Sequence, residues 1–257
     1  SISAKVEDLK DTGYVTPKEM GQNMTANQIF ESGKTIAGEL TKIGINLNLA
    51  PVADLASDQN PSYAMRCLGS DADGVADLLD DFVSGMREGG LSVTLRTFPG
   101  IGNVSADVTE SIAENTDSLM TIRDTNFVPY ASGIQAGADC VMVSNAAYSK
   151  LTVKKVPAFM SQDIVTKLLR EELGFDGIVM TSPLNDNVIE NNYTNEFAVV
   201  EAVKAGCDLI VLPGNFKECY EALITAVKEG RIDEKVINTS VRRILQNKIQ
   251  RGILVLE

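Results

Sequence analysis

Histidine and tryptophan are both missing from this 257-residue chain. Without an imidazole, the chain by itself cannot assemble a Ser-His-Asp triad, a histidine general acid or a histidine-ligated metal. Cysteine is scarce too, and Cys67, Cys140, Cys207 and Cys219 form no CxxC pair. Structural zinc is therefore not supported, no metal or cofactor is expected, and Cys140 and Cys207, inside apolar runs, read as buried, inert thiols. Positive charge is in deficit, with 23 Lys and Arg against 35 Asp and Glu and a formal net charge of -12. No basic cluster overrides that sign locally, which argues against nucleic acid as a partner. No apolar run approaches the ~20 residues that a membrane span needs. The polar start Ser1-Ile2-Ser3-Ala4-Lys5 carries no signal-peptide core. The chain is expected to be soluble as given; its compartment, and whether a targeting segment once preceded it, stay open.

What is present is the composition of a folded protein, 44% hydrophobic and 23% charged, with a length that suits one large domain. One phrase recurs: a helix ends at glycine, and a polar or acidic residue leads into a short apolar strand. Its clearest copies are Ala136-Gly137-Ala138-Asp139 before Cys140–Val143, Leu173-Gly174-Phe175-Asp176 before Gly177–Met180, and Ala205-Gly206-Cys207-Asp208 before Leu209–Leu212. Looser copies precede Ile45–Leu49 and Leu91–Leu95. Glycine suits the left-handed position after a helix, and continuous apolar strands suit a sheet buried on both faces.

Helical spacing of apolar residues predicts helices over Asn27–Lys42, Asp71–Glu88 with Ser70 placed to cap it, Gln162–Leu173 capped by Ser161, Glu196–Ala205, Lys217–Glu229 and Asp233–Gln250. Alternating strands and helices predict a parallel sheet. The expected fold is a TIM-type (β/α) barrel, one domain over 1–257 with no internal boundary. Only five strands are clear, with Ile2–Val6 as a candidate sixth, whereas such a barrel has eight. The expectation is a barrel lacking its first strand or strands, completed by an N-terminal part or by another copy. Open strand edges would favour a homo-oligomer.

In such barrels the functional residues follow the carboxyl ends of strands. Those places read Ala50-Pro51-Val52-Ala53-Asp54 with Arg66-Cys67-Leu68-Gly69-Ser70-Asp71 behind it; Arg96-Thr97-Phe98-Pro99-Gly100-Ile101-Gly102-Asn103 with Asp107-Val108-Thr109 behind it; and Thr181-Ser182-Pro183-Leu184-Asn185. In this order, from about Met20 to about Gly252, the stretches resemble glycoside hydrolase family 3, and within it the bacterial β-N-acetylhexosaminidases. The resemblance implies a retaining glycosidase with a carboxylate nucleophile and a histidine proton donor in an Asp-x-His dyad. Carried over by position, the nucleophile falls on Ser182, the dyad aspartate on Asp107 and its histidine on Thr109. The family's Lys-His-Phe-Pro-Gly-His-Gly-Asp-Thr loop reads Arg96-Thr97-Phe98-Pro99-Gly100-Ile101-Gly102-Asn103-Val104, so both histidines, the lysine, the aspartate and the threonine are changed. The family's Asp-Glu-x-Gly-Gly motif would fall before Ser1.

No catalytic residue is therefore assigned. A serine hydroxyl without a base cannot replace an ionised carboxylate, and threonine cannot donate a proton near neutral pH. Candidates for holding sugar are Asp54, Arg66 and Arg96. For Arg66 the competing reading is a structural pair with Asp71, and for Asp54 the preferred reading is a loop cap. Phe98-Pro99-Gly100 reads as a tight loop fixed by its backbone. The expected function is a catalytically inactive family-3-like module that binds an N-acetylglucosamine-containing glycan, or scaffolds or regulates. The alternative is an active retaining β-N-acetylglucosaminidase with relocated groups, Asp107 and Asp186 being the carboxylates to hand. A phosphate-binding barrel enzyme is weaker, because only Pro213-Gly214-Asn215 is available as a cradle.

Overall fold

The computed structural model describes residues 15–255. Its helices are α1 (Pro17–Asn23), α2 (Ala26–Lys42), α3 (Pro61–Ala64), α4 (Ala72–Glu88), α5 (Leu119–Asp124), α6 (Phe127–Gln135), α7 (Asp163–Glu172), α8 (Asn187–Glu190), α9 (Asn195–Ala205), α10 (Phe216–Lys228) and α11 (Glu234–Gln250). Its strands are β1 (Leu47–Asn48), β2 (Ser92–Phe98), β3 (Glu114–Asn115), β4 (Cys140–Val143), β5 (Ala147–Tyr148) and β6 (Ile178–Thr181). β1, β2, β4 and β6 lie side by side in chain order. All are parallel, with Leu47 opposite Ser92, Thr94 opposite Cys140 and Cys140 opposite Ile178.

This is the arrangement that the recurring phrase predicts, and the phrase shows why it forms. Gly137 and Gly206 take φ of 94° and 112°, a left-handed turn that a side chain would strain. The aspartate that follows each then reaches sideways. Asp139 Oδ2 accepts the N–H of Val93 at 2.9 Å, and Asp208 Oδ2 accepts that of Val179 at 2.9 Å. Each thus satisfies a backbone donor near the start of the neighbouring strand. Alternate strand residues then face two different layers. Val93, Leu95, Val141, Val143 and Val179 join the main core with Ile29, Leu79, Met86 and Tyr130 of the outer helices. Cys140, Met142, Ile178 and Met180 form a second cluster with Leu47, Leu209, Val211 and Ile244 of α11.

The α2–α4 contact is unusually close. A β-carbon at Gly85 would stand 2.1 Å from the carbonyl oxygen of Phe30, and one at Gly33 would stand 2.6 Å from that of Phe82. At the other end of the sheet α11 is clamped by ion pairs. Arg251 Nη2 lies 2.5 Å from Asp139 Oδ2. Asp208 receives Arg170 at 2.5 Å and Arg243 at 3.3 Å.

Several expectations need correction. Leu209–Leu212 does not form a strand and contributes one bridge, Leu209 to Met180. The Val211 N–H is taken by the Thr181 hydroxyl instead of a ladder carbonyl, and Leu212 turns to φ 44° ahead of Pro213. The cap of α4 is Asp71, whose Oδ2 accepts the Gly74 N–H at 2.8 Å, not Ser70. Ser161 precedes α7 without a side-chain cap; its carbonyl accepts from Ile164 and Val165. The small β3–β5 pair and helices α5 and α6 have no counterpart in the expectation. Ile2–Val6 lies outside the described residues.

Candidate functional site

Loops at the carboxyl ends of the strands enclose a cavity of about 590 Å³. β2 contributes Arg96 and Thr97, the segment after β4 contributes Asn145, and the residue after β6 is Ser182. The loop after β2 supplies Asp107 and Thr109, the stretch around α3 supplies Tyr63 and Arg66, and Asp186 completes the wall. Ser182, Thr109, Asp107, Arg66 and Arg96, scattered over the sequence, thus come together.

Ser182 is almost fully buried, and its Oγ donates to the carbonyl of Val143 at 2.9 Å. Among the described residues that carbonyl is the one hydrogen-bond partner of Oγ, and none of them is a base placed to take its proton. Thr109 donates both its N–H, at 2.8 Å, and its hydroxyl, at 2.7 Å, to Asp107 Oδ1. Those two bonds hold the Asp107 carboxyl below its ordinary value, so Asp107 is ionised near neutral pH and is no proton donor. Asp186 shifts the other way. Burial raises it, the amide of Asn145, 2.8 Å away, opposes that rise, Asp107 and Glu110 add to it, and Arg96 lowers it.

Arg96 forms no hydrogen bond or ion pair through its side chain among the described residues, and its Nε is buried without a partner. Asn145 Oδ1 is likewise buried and unpaired. Arg66 also lacks a partner among the described residues; the competing pair with Asp71 is not formed, and Asp71 caps α4 through Oδ2.

Asp54 does not line the cavity and lies behind it, fully buried. It accepts the Tyr63 hydroxyl at 2.8 Å, the Tyr130 hydroxyl at 2.8 Å, the Thr97 N–H and hydroxyl at 3.0 Å each, and the Ile101 N–H at 3.0 Å. Burial pushes its carboxyl up, and these donors pull it back. Asp54 thus positions Tyr63 and Thr97, which do face the cavity. Phe98-Pro99-Gly100 is the tight turn expected, Gly100 N–H donating to Thr97 O at 2.8 Å and Tyr148 donating to Gly100 O at 2.9 Å.

Sequence reasoning missed Tyr63 and Asn145. The signal for Asn145 was available: it sits two residues beyond β4, a strand end that the motif reading passed over. All four cysteines are buried free thiols; burial raises each, Cys140 to about 12, which fits inert packing. Among the described residues no group of three or more His, Cys, Asp or Glu could hold a metal ion, and no helix is long and apolar enough to cross a membrane.

The family profile described as glycosyl hydrolase family 3 N terminal domain matches residues 5–247. A β-hexosaminidase of Xylella fastidiosa (strain M23) is 32% identical over 183 residues, covering 71% of this chain and 54% of that protein. A β-N-acetylglucosaminidase/β-glucosidase of Cellulomonas fimi is 27% identical over 268 residues, covering 98% of this chain and 48% of its own length. The chain thus spans about half the length of these curated relatives. Among solved structures, a glycoside hydrolase family 3 β-N-acetylglucosaminidase from Paenibacillus sp. str. FPU-7 superposes with a TM-score of 0.89 at 32% identity, over 94% of this chain and 48% of that one. The parallel sheet with its helical layer is accordingly the TIM-type barrel fold of that group. Profile, relatives and superposition agree with the ordered strand-end motifs, and this chain belongs to glycosyl hydrolase family 3 as its N-terminal domain.

Proposed function

We propose that this domain holds an N-acetylglucosamine-containing glycan in the strand-end cavity without hydrolysing it. The observation that carries the reading is the pair Ser182 and Thr109. Both line the cavity, at the positions where the family resemblance calls for a nucleophilic carboxylate and a proton-donating histidine, and neither side chain can do that work. What remains suits binding: two arginines, Tyr63, Thr97 and Asn145 around a sugar-sized space. The names of the relatives point to the glycan.

An active glycosidase built on Asp107 and Asp186 is the second reading, favoured by the upward shift of Asp186. Against it, Asp107 is exposed and bonded to Thr109, so the two carboxylates do not replace a buried nucleophile. The test is turnover of an aryl β-N-acetylglucosaminide together with trapping by a fluorosugar. The expected result is release at the buffer rate and no covalent adduct by mass spectrometry. Turnover that disappears in Asp186→Ala or Asp107→Ala would establish the second reading and end the first.

A further inference from the structure

We propose that the cavity selects a saccharide carrying an anionic substituent, a carboxylate or a phosphate ester, seated on Arg96 with Arg66 beside it. This deepens the binding reading above and rests on it. The charged groups of the cavity divide into two kinds. The carboxylates already have donors: Asp107 holds both groups of Thr109, and Asp186 holds the amide of Asn145. The guanidinium groups have none. Arg66 and Arg96 lack ion pairs among the described residues, in contrast to Arg170, Arg243 and Arg251.

Arg96 is the more telling of the two. It is partly buried, and its Nε is sealed from solvent without an acceptor. A guanidinium whose Nε is buried without an acceptor gains its missing partner when an anion arrives. Its field reaches Asp186, yet that carboxylate forms no ion pair with it. The register explains the vacancy. Arg96 stands opposite Met142, and Met142 opposite Met180, so Arg96 shares a row of the sheet with a residue two before Ser182. A carboxylate at position 182 would repel an incoming anion; the uncharged serine does not. The planar fork of a guanidinium matches the oxygens of a carboxylate or phosphate, which gives the substituent's class. Asp107 and Asp186, on the opposing loops, are left to accept the sugar's hydroxyls.

Calorimetry on the full chain at low salt, with N-acetylglucosamine, glucuronic acid, N-acetylglucosamine 6-phosphate and inorganic phosphate, tests this. At least one acidic sugar is expected to bind about tenfold or more tighter than N-acetylglucosamine, and more tightly than inorganic phosphate; which one binds separates carboxylate from phosphate ester. Arg96→Met and, by the opposite change, Ser182→Asp are each expected to erase that preference. Their unliganded thermal midpoints show that they fold, and either variant suffices if the other does not. N-acetylglucosamine binding as well as or better than both acids would overturn the inference and leave the glycan-binding reading standing. Binding of no sugar would overturn both. Phosphate alone matching the sugar phosphate would remove the saccharide from the proposal, and a preference surviving in both variants would remove Arg96.

Discussion

An Asp54→Ala protein is expected to lose about 3–5 kcal/mol of unfolding free energy in urea titrations. The carboxylate takes hydrogen bonds from Tyr63, Tyr130, Thr97 and Ile101 at full burial. Removing it does not strand all of them equally. Tyr63 and Thr97 hydroxyls are 2.9 Å apart and can serve each other. The backbone N–H groups of Thr97 and Ile101 and the Tyr130 hydroxyl have no such recourse, and each buried donor left unpaired costs about 1–3 kcal/mol, less whatever water recovers in the vacated space. Asp54→Asn keeps the shape and is expected to cost less. It also isolates a pH effect. Burial raises the folded carboxyl above its ordinary 3.8, so the native state binds this proton more tightly than the unfolded one. The group's contribution is therefore greatest below the unfolded value and declines as pH climbs through the interval up to the folded value. That slope should be absent from the Asp54→Asn protein; an identical pH profile would show that Asp54 ionises in the fold as readily as outside it.

Asp208→Ala is the second large effect, again about 3–5 kcal/mol, because it removes one partner from a buried ionic cluster. Asp208 is 1% exposed, and the two arginines that meet it are 12% and 22% exposed. Truncation leaves Arg170 and Arg243 with their charges half out of water and frees the Val179 N–H. By comparison, breaking the exposed Lys167–Asp163 pair should move stability by less than about 0.5 kcal/mol. Since Arg243 belongs to α11, amide exchange in Asp208→Ala should accelerate over 234–250 before it does in β4. Unchanged protection there would mean that the Arg251–Asp139 pair and the apolar contacts of Ile244 hold the helix without Asp208.

The parts of the fold that repeat are the parts legible in the sequence. β4 is read to the residue, and β2 and β6 to within a few, because strands buried on both faces show as unbroken apolar runs between a glycine and a polar turn. Leu209–Leu212 has the same look and is not a strand, since its fate is decided by the Thr181 hydroxyl and by the backbone at Leu212, neither of which periodicity registers. α5 escapes notice because it is six residues long with Ile122 alone buried, and α6 because Phe127, Pro129, Tyr130 and Gly133 are buried there, a face too irregular to announce a helix. In the site, strand-end position together with the family resemblance singles out Ser182, Arg96 and Asp107, and all three line the cavity. It cannot distinguish Asp54, which is turned inward under Tyr63, from a residue on the cavity wall, nor show that Asp71 caps α4 and forms no pair with Arg66. Such choices depend on competition for hydrogen-bond donors between segments far apart in the chain.

The chain-ordered sheet also sets a timetable for synthesis. β2, β4 and β6 each pair with a sheet strand already made, β1, β2 and β4 in turn, so pairing can advance as the polypeptide emerges. The ion pairs of α11 close later: Arg243 follows Asp208 by 35 residues and Arg251 follows Asp139 by 112, on the order of seconds to tens of seconds at ~5–20 residues per second. Through that interval the cluster of Cys140, Met142, Ile178 and Met180 lacks the cover of Ile244, and the nascent domain is expected to gain resistance to proteolysis when α11 docks.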